Sequence, residues 1–449
     1  MRICVISGSP KGKNSITFQT VRYLAKMFPE DEYATLHVGQ KIRSYERDMT
    51  TALDTIGKAD LLLFCYPVYT FLAPSQLHRF IELLKESGMG LSGKCAAQIT
   101  TSKHFYDTTA HAYIRENCAD LGLRYLGGLS ADMDDLTKEK GQRQAVDFWN
   151  LVCWRAANGS ADLSGAYVSA PVQAEEFSYT RTFGESLRTD DRQVVIVANL
   201  ENGDTVLETM IDDFRARSPF HTRVVNVMEY PFSGGCLGCF GCAADGKCIY
   251  KDGFDDFLRN EIQTADAIVY AFRVKDHSMG ARMKMFDDRQ FCNGHRTVTI
   301  GMPVGYLIPG GVAGEPNLRM VIEGRADVGQ NFLAGIAADA DGIAELADTL
   351  VYAMDERLVL PQTFLGVGGM KIFRDLIWVM QGMMKADHVF YKEHGMYDFP
   401  QKDIGRLLMM KGVGAMISNP KLKSKLGNKM TEGMLMPYEK VLRNCGQKK

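Results

Sequence analysis

Short apolar runs, each followed by a helical stretch, constrain this chain more than any other feature. The clearest run is Asp60 to Tyr66, in which Leu61 to Phe64 are all apolar. A strand without polar alternation is buried on both faces, which is typical of a parallel sheet with helices on each side. Parallel strands need long crossovers, usually helices, so the alternation predicts a doubly wound α/β fold.

The alternation of strand and helix occurs twice. Ala59-Asp60 and Phe80 recur 206 positions later, as Ala265-Asp266 and Phe286, and a constant offset favours duplication over chance. Two sets of five strands are therefore predicted. They are Arg2–Ser7, Glu32–Val38, Asp60–Tyr66, Lys94–Thr101 and Arg124–Leu129, then Gln193–Ala198, Thr222–Val227, Ala267–Ala271, Thr297–Met302 and Leu333–Ala338.

These patterns divide the chain into four parts. We expect a first doubly wound domain over 1–165, a linker over 166–192, a second such domain over 193–356 and a helical C-terminal extension over 357–449. The extension contains the methionine-rich stretch Ile372 to Met384 and a basic end with Lys421, Lys423 and Lys425. Packing against a domain or a second subunit is the first interpretation, and a cofactor lid the second.

Composition excludes several classes of protein. The chain has 449 residues, a net charge of -2 and a pI near 6.5, so no broad basic field attracts nucleic acid. No apolar stretch approaches the eighteen or so residues that a membrane helix needs. Eleven cysteines, an odd number, without a secretion signal are typical of thiols in a reducing cytoplasm. A cytoplasmic protein without a membrane partner is expected.

Four cysteines lie within thirteen residues, at Cys236, Cys239, Cys242 and Cys248, with glycines between them. Four soft thiolates this close can surround one polynuclear cluster, and the first three have the spacing of a ferredoxin run. The fourth follows five intervening residues and precedes Ile249 rather than proline, so this is not a ferredoxin repeat. A [4Fe-4S] cluster, a zinc ion, and redox-active or vestigial thiols remain the alternatives.

The loop after the first strand is suited to phosphate. It exposes backbone N–H groups at a helix N-terminus, with hydroxyls from Ser9, Ser15 and Thr17 and charge from Lys11 and Lys13. The third strand runs into Tyr66-Pro67-Val68-Tyr69, which presents aromatic edges where open α/β sheets bind ligands. A Gly-x-Gly-x-x-Gly motif is absent, so the pattern favours FMN over a dinucleotide.

Gly8-Ser9-Pro10 with Asn14-Ser15, Tyr66 to Tyr69 and Leu77 to Glu82 resemble the flavodoxin-like NAD(P)H-dependent FMN reductase family. In the second half, Cys236 to Cys248, Ala265 to Val269 and Phe286-Asp287-Asp288-Arg289 resemble its iron-sulfur flavoprotein branch. The resemblance covers about 1–355 as two copies, and it implies two tandem flavodoxin-like parallel sheets of five strands each.

The resemblance also implies cofactors and the residues that hold them. Ser9, Lys11, Asn14, Ser15, Ile16 and Thr17 would bind the FMN phosphate; Pro67, Val68, Tyr69 and Thr70 would border the isoalloxazine; Thr101 and Ser102 would line its other side. The four cysteines would hold a [4Fe-4S] cluster. No catalytic acid or base is assigned.

The second copy departs from the pattern where flavin would bind. Gly8-Ser9-Pro10 is replaced by Asn199-Leu200-Glu201, and Pro67 and Tyr69 correspond to Arg273 and Lys275. An anion would repel a phosphate there. We therefore expect FMN in the first domain, the cluster in the second and electron transfer between them.

An NAD(P)H-dependent FMN oxidoreductase is accordingly expected, passing electrons to the cluster or to a small acceptor such as a quinone or flavin. Its partners would be the nicotinamide cofactor and a small-molecule or protein acceptor. A homodimer is the family habit, although the two halves of one chain could form that pair. The alternative is a flavodoxin-type carrier serving a partner protein, with a zinc-bound or vestigial cysteine motif. His104 and His111 are weaker candidates for flavin or substrate contact.

Overall fold

The fold consists of two parallel sheets of five strands, each with helices on both sides. A computed structural model describes residues 1–162, 177–184 and 190–419, together with 435–436, 438–439 and 441–443. The strand order is β2-β1-β3-β4-β5 in the first sheet and β7-β6-β8-β9-β10 in the second. Both have the flavodoxin-like order 2-1-3-4-5, which confirms the predicted fold class.

The first sheet lies within residues 1–157. Its strands and helices alternate because buried β-branched and leucine runs follow amphipathic segments. The elements are β1 (Arg2–Ser7), α1 (Ile16–Met27), β2 (Glu32–Leu36), α2 (Val38–Tyr45), α3 (Thr50–Lys58), β3 (Leu61–Pro67), α4 (Ser75–Glu86), β4 (Cys95–Ser102), α5 (Asp107–Asp120), β5 (Arg124–Asp132) and α6 (Glu139–Ala157). The first six residues of β3 are fully buried, as its continuous apolar run predicts.

The second sheet repeats this plan. Its elements are β6 (Gln193–Ala198), α7 (Thr205–Arg217), β7 (His221–Asn226), α8 (Gly241–Asp245), α9 (Phe254–Phe257), β8 (Ala267–Ala271), α10 (Gly280–Arg289), β9 (Pro303–Leu307), α11 (Pro316–Val328), β10 (Phe332–Ala337) and α12 (Ala340–Glu356). The cysteine motif lies between β7 and α9, in the crossover that leads to β8.

Helices α4 and α10 pack against each other and join the two domains with an approximate twofold relation. Asp288 of α10 accepts a hydrogen bond from the backbone N–H of Ser75 at 2.8 Å, at the start of α4. In return, Glu82 of α4 accepts one from the N–H of Ala281 at 2.7 Å, near the start of α10. Ser75 and Ala281 are 206 positions apart, and so are Glu82 and Asp288. Each helix therefore caps the N-terminus of the other through equivalent residues.

The same offset governs the turn after the third strand of each domain. Thr70 and Phe71 have φ values of 38° and 72°, and Asp276 and His277 have 53° and 60°. Left-handed conformations are uncommon for such residues, so their repetition at equivalent positions supports the duplication. The two halves are thus related by equivalent turns as well as by equivalent helix caps.

Residues beyond 356 form further helices: α13 (Phe364–Val379), α14 (Lys385–Glu393) and α15 (Ile404–Ile417). Helix α13 packs against α11 of the second domain. The chain divides into two compact units, 1–390 and 391–449, and all residues of α15 except Val413 and Ile417 are exposed. Among the described helices, none combines the length and hydropathy needed to cross a bilayer.

Some elements lie at other positions than the sequence predicts. The fourth strand of the second domain is Pro303–Leu307 rather than 297–302, so it begins directly after the predicted strand ends. Helix α2 was not predicted, and the helix predicted over 372–384 is Phe364–Val379. Most of the predicted linker 166–192 and the basic end at Lys421, Lys423 and Lys425 lie outside the described residues.

Candidate functional site

A cavity of about 390 Å³ lies at the carboxyl ends of β1, β3 and β4 and extends into the second domain. The residues that the sequence assigned to FMN and to a metal cluster all line it. They are Ser9, Lys11, Asn14, Ser15, Ile16, Thr17, Pro67, Val68, Tyr69, Thr70, Thr101 and Ser102 from the first domain, and Cys236, Cys239, Cys242 and Cys248 from the second. Folding therefore brings the predicted flavin residues and the predicted metal ligands to one cavity.

The loop between β1 and α1 leaves a helix N-terminus without a protein cap. Ser15 occupies the N-cap position, but its side chain makes no capping hydrogen bond. Ser9, Ser15 and Thr17 are almost fully buried, yet all three line the cavity. Free N–H groups at a helix start, with hydroxyls beside them, form a site for an anion such as phosphate.

A tight aromatic turn borders the other end of the predicted flavin site. The backbone N–H groups of Tyr69 and Leu72 donate to each other's carbonyl oxygens, at 2.8 and 3.0 Å. Thr17 Oγ1 lies 2.6 Å from Thr101 Oγ1, which links the phosphate loop to the end of β4. The turn and the loop are thereby fixed at the same edge of the sheet.

The second domain holds this turn in place. Lys284 of α10 is fully buried and donates to the Tyr69 carbonyl at 3.0 Å and to Thr70 Oγ1 at 2.5 Å. It also pairs with Asp288, whose Oδ1 accepts a hydrogen bond from Thr70 Oγ1 at 2.8 Å. Burial raises the pKa of the Asp288 carboxyl, and the charge of Lys284 opposes that rise.

The cysteine loop lies directly against the aromatic turn. A Cβ at Gly238 would lie 1.9 Å from Tyr69 Oη, so only glycine fits there. The Cys236 carbonyl accepts a hydrogen bond from Gln76 Nε2 at 3.3 Å. Lys11 of the phosphate loop lies 5.5 Å from the ring centroid of Phe240. The second domain thus covers the site that the first domain opens.

Arg289 anchors the cysteine loop from within. Its side chain is 1% exposed and donates to Asp252 Oδ1 and Oδ2 at 2.7 and 2.9 Å and to the Gly234 carbonyl at 2.9 Å. The guanidinium also lies over the ring of Tyr250, 4.5 Å from its centroid. Burial acts to raise the pKa of Asp252, but Arg289 outweighs it and lowers that pKa to about 2.

The chemistry of the four cysteines suits a soft metal, although the loop does not preassemble a metal site. The described part of the chain holds no group of three or more His, Cys, Asp or Glu side chains placed as metal ligands. Burial raises the pKa of Cys236 to about 12 and that of Cys242 to about 11. The charges of Cys239 and Cys248 affect Cys242, so these thiols interact. Metal binding would displace their protons.

The equivalent loop of the second domain is already filled by the protein itself. Asp204 caps α7 by accepting from the N–H of Leu207 at 3.1 Å, and Arg273 Nε donates to the same carboxylate at 2.7 Å. A carboxylate thus occupies the helix start that is free in the first domain. Residues 199–205 and 273–276 are not among those that line the cavity.

Several other candidates lie away from the cavity. His104 is half exposed and pairs with Asp107 at 2.9 Å, and His111 is hydrogen-bonded to Thr100 at 2.8 Å. Burial lowers the pKa of His111 to about 4. Lys275 lies 3.7 Å from Glu82.

Sequence reasoning missed Lys284, Cys292 and Asp387 as parts of this region. Cys292 is buried, lines the cavity and interacts electrostatically with Cys242 and Cys248. Asp387 binds Arg296 at 3.0 Å and His295 at 3.2 Å, and both partners line the cavity. The constant offset of 206 was the available signal for Lys284. It places Lys284 at the position that corresponds to His78 in the first domain, on the matching helix face.

Comparison with known proteins shows what the N-terminal part of the chain is similar to. Residues 1–131 match the family described as NADPH-dependent FMN reductase. The chain is also 28% identical over 173 residues to an iron-sulfur flavoprotein of Archaeoglobus fulgidus, a match that covers 36% of this chain and 78% of the relative.

Similar solved structures include an FMN-dependent NADH-azoreductase from Bacillus anthracis, with 13% identity over 35% of this chain and 99% of that one and a TM-score of 0.27. An NADH:FMN oxidoreductase in its apo form is 21% identical, with a match that covers 38% of this chain and 96% of that one and a TM-score of 0.30. An NAD(P)H:quinone oxidoreductase from Methanothermobacter marburgensis is 12% identical, with a match that covers 35% of this chain and 95% of that one and a TM-score of 0.28.

Proposed function

We propose that this chain is a flavin-dependent NAD(P)H oxidoreductase of the NADPH-dependent FMN reductase family, which its residues 1–131 match. It passes electrons from FMN in the first domain to an iron-sulfur cluster on its cysteine loop or to a small acceptor. One observation carries the proposal. The uncapped start of α1, the aromatic turn and all four cysteines line the same cavity.

The phosphate of FMN would bind at the start of α1. The N–H groups there, the hydroxyls of Ser9, Ser15 and Thr17, and the charge of Lys11 suit a dianion. Pro67 to Thr70 would border the ring on one side, with Thr101 and Ser102 on the other. When bound, FMN supplies hydride acceptance from NAD(P)H and the release of one or two electrons. Lys284 and Asp288 would keep the ring-binding turn fixed.

The four cysteines would hold the cluster, which supplies single-electron transfer when bound. Their loop contacts Tyr69, so the two cofactors would be neighbours in one cavity. The buried thiols of Cys236 and Cys242 keep their protons in the absence of metal and would lose them on assembly. The Asp204–Arg273 pair would exclude a second flavin from the other domain.

The flavin part is tested with full-length protein purified without oxygen. The expected content is about one FMN per chain, bleached by NAD(P)H. Asn14→Asp puts an isosteric anion beside the phosphate and should weaken FMN binding about tenfold. Asn202→Asp, on the corresponding loop of the second domain, should leave FMN binding unchanged. Equal weakening by both variants, or none by Asn14→Asp, contradicts the assigned site.

The cluster part is tested by counting iron and acid-labile sulfide in the same preparation. About four of each per chain are expected. Cys239→Ser, at an exposed cysteine of the motif, should lose most of the iron while FMN is retained. Cys153→Ser, outside the cavity, should keep both. An iron-free protein with FMN would leave a plain NAD(P)H-dependent flavin reductase whose cysteine motif binds zinc or nothing.

A further inference from the structure

The cavity continues past the flavin-binding residues into the second domain. There it lies between strands β8 and β9 and helices α10 and α11, and we call this part the second-domain chamber. Its apolar walls come from residues outside the predicted FMN set and the cysteine motif. They are Phe272, Met283, Phe286, Val304, Val321 and Ile322.

Two tyrosines of the sheet line the chamber. Tyr270 and Tyr306 are neighbours in register on β8 and β9, with ring centroids 5.3 Å apart. Both line the cavity, and within the described part of the chain neither hydroxyl makes a hydrogen bond. Burial raises the pKa of Tyr270 to about 12, so its hydroxyl stays protonated and able to donate.

An ion pair, with Asp287 9% and Arg325 30% exposed, supplies the other polar groups. Arg325 of α11 binds Asp287 Oδ1 at 2.7 Å, and the guanidinium lies 5.7 Å from the ring centroid of Phe71, in the turn that borders the predicted flavin. Asp287 Oδ2 has no hydrogen bond, although Lys284 Nζ lies 3.5 Å away. The chamber therefore adjoins the flavin-binding turn. Of its polar groups, the tyrosine hydroxyls are the unused donors and Asp287 Oδ2 is an unused acceptor.

These groups select a chemical class of ligand. Asp287 neutralises Arg325, so the chamber has no unpaired cation for a phosphate or a carboxylate. Apolar walls and hydroxyl donors suit a flat, uncharged ring whose carbonyl oxygens accept hydrogen bonds. The diphosphate of a nicotinamide dinucleotide does not match such a lining.

We propose that the second-domain chamber binds the electron acceptor, an uncharged ring compound with carbonyl oxygens, and that Tyr270, Tyr306 and Arg325 donate hydrogen bonds to those oxygens. This rests on the proposed function for its electron supply. A quinone of this class takes up two electrons and two protons to become a hydroquinone. NAD(P)H supplies both electrons and one proton as hydride, and solvent supplies the second proton.

The test uses 1,4-naphthoquinone as the probe. Calorimetric titration into oxidised full-length protein should show a dissociation constant about tenfold higher for the double variant Tyr270→Phe/Tyr306→Phe, because two hydrogen bonds are lost. Tyr33→Phe, which also removes a buried unpartnered hydroxyl but lies outside the cavity, should bind like the wild type. Melting temperature and FMN content verify that each variant is folded.

A kinetic measurement separates this proposal from the flavin assignment. The KM for 1,4-naphthoquinone should rise about tenfold in the double variant, while anaerobic flavin reduction by NAD(P)H and turnover with ferricyanide stay within twofold. Unchanged quinone binding overturns the chamber assignment. So does a double variant that is impaired only in flavin reduction by NAD(P)H, because the chamber would then belong to the nicotinamide. Failure of the proposed function instead appears as protein without FMN, for which the titration still tests the chamber.

Discussion

At the scale of single residues, a buried histidine connects the two domains. His277 Nε2 lies 3.0 Å from Asp120 Oδ2 of the first domain, and Nδ1 lies 3.0 Å from Glu315 Oε2 of the second. Burial acts to lower the pKa of His277, but the two carboxylates outweigh it and raise that pKa to about 10. The imidazole is therefore a permanent cation at neutral pH and not a proton donor to the flavin.

Replacing this histidine should change how stability depends on pH. Because the folded-state pKa is raised, the stabilisation is fully present below pH 6.5 and is lost as pH rises through about 10. The difference in unfolding free energy between wild type and His277→Gln should thus fall by about 2–4 kcal/mol between pH 6 and pH 10. Urea denaturation at several pH values measures it.

The difference between the two proteins isolates His277 from its neighbours. Asp120, Lys85, Asp276, Glu315 and Glu116 all face the imidazole or its partners. Burial raises the pKa of Glu116 to about 7, so stability also falls as pH rises from about 4.5 through 7. Glu116 is present in both proteins, and the difference between them is therefore the quantity to follow. A pH-independent difference would mean that His277 is neutral in the folded protein.

Gly238 tests the contact between the cysteine loop and the aromatic turn. Its φ is +58°, and an added Cβ would lie 1.9 Å from Tyr69 Oη, so Gly238→Ala should displace the turn and weaken FMN binding at least fivefold. Gly253 has a φ of +72° and no atom within 4 Å of an added Cβ. Gly253→Ala should therefore cost about 1 kcal/mol of stability, as any such substitution does, with FMN affinity unchanged. Equilibrium FMN titration compares the two.

At the scale of elements, the paired helices α4 and α10 determine how the domains meet. Each begins with a backbone N–H that is bound by a carboxylate of the other, Glu82 or Asp288. The two caps are equivalent in position but not in surroundings. Glu82 also pairs with the partly exposed Arg79 at 2.9 Å, whereas Asp288 pairs with the fully buried Lys284.

This asymmetry predicts unequal effects of two conservative substitutions. Asp288→Asn removes the nearer of the two carboxylates beside the buried Lys284 ammonium, leaves Asp287 at 3.5 Å, and should cost about 3 kcal/mol of stability. Glu82→Gln keeps a hydrogen-bond acceptor and should cost about 1 kcal/mol. Only Asp288→Asn should also weaken FMN binding, because Lys284 and Asp288 hold the Tyr69–Thr70 turn. Similar costs in urea denaturation would mean that Lys284 finds another partner or is neutral.

At the scale of the whole molecule, the second domain completes the cavity that the first domain begins. It covers the cavity of the first domain with the cysteine loop, α10 and α11, while its own loop at Asp204 is closed by Arg273. Among the described residues, the helix start is thus open in the first domain and closed at the equivalent position of the second.

FMN binding in the first domain should accordingly protect parts of the second domain from amide hydrogen exchange. Adding FMN to flavin-depleted protein should slow amide hydrogen exchange in 234–248 and 284–289, which contact the flavin-binding turn. Exchange in α7 should remain unchanged, because the Asp204–Arg273 pair closes the loop before it. Mass-spectrometric exchange on full-length protein measures both. Protection confined to the first domain would argue against a flavin that bridges the two.

The sequence by itself determined the sheets and the local chemistry. The apolar run Leu61 to Phe64 requires burial on both faces, and the glycine loop before Ile16 leaves a helix start free for an anion. Both properties depend on residues that are adjacent in the chain. The shifted strand at Pro303–Leu307 shows the limit, because glycines and a proline within a buried strand carry a turn signal.

Only the tertiary structure decided which distant groups meet. Three such contacts depend on the packing of α4 against α10. The cysteine loop faces Tyr69, Lys284 binds the turn of the other domain, and Tyr270 and Tyr306 line the same cavity. No periodicity encodes such contacts, because they join residues that are distant in the chain, such as Thr70 and Lys284, which are 214 positions apart, and arise from the summed burial of both domains rather than from any local preference.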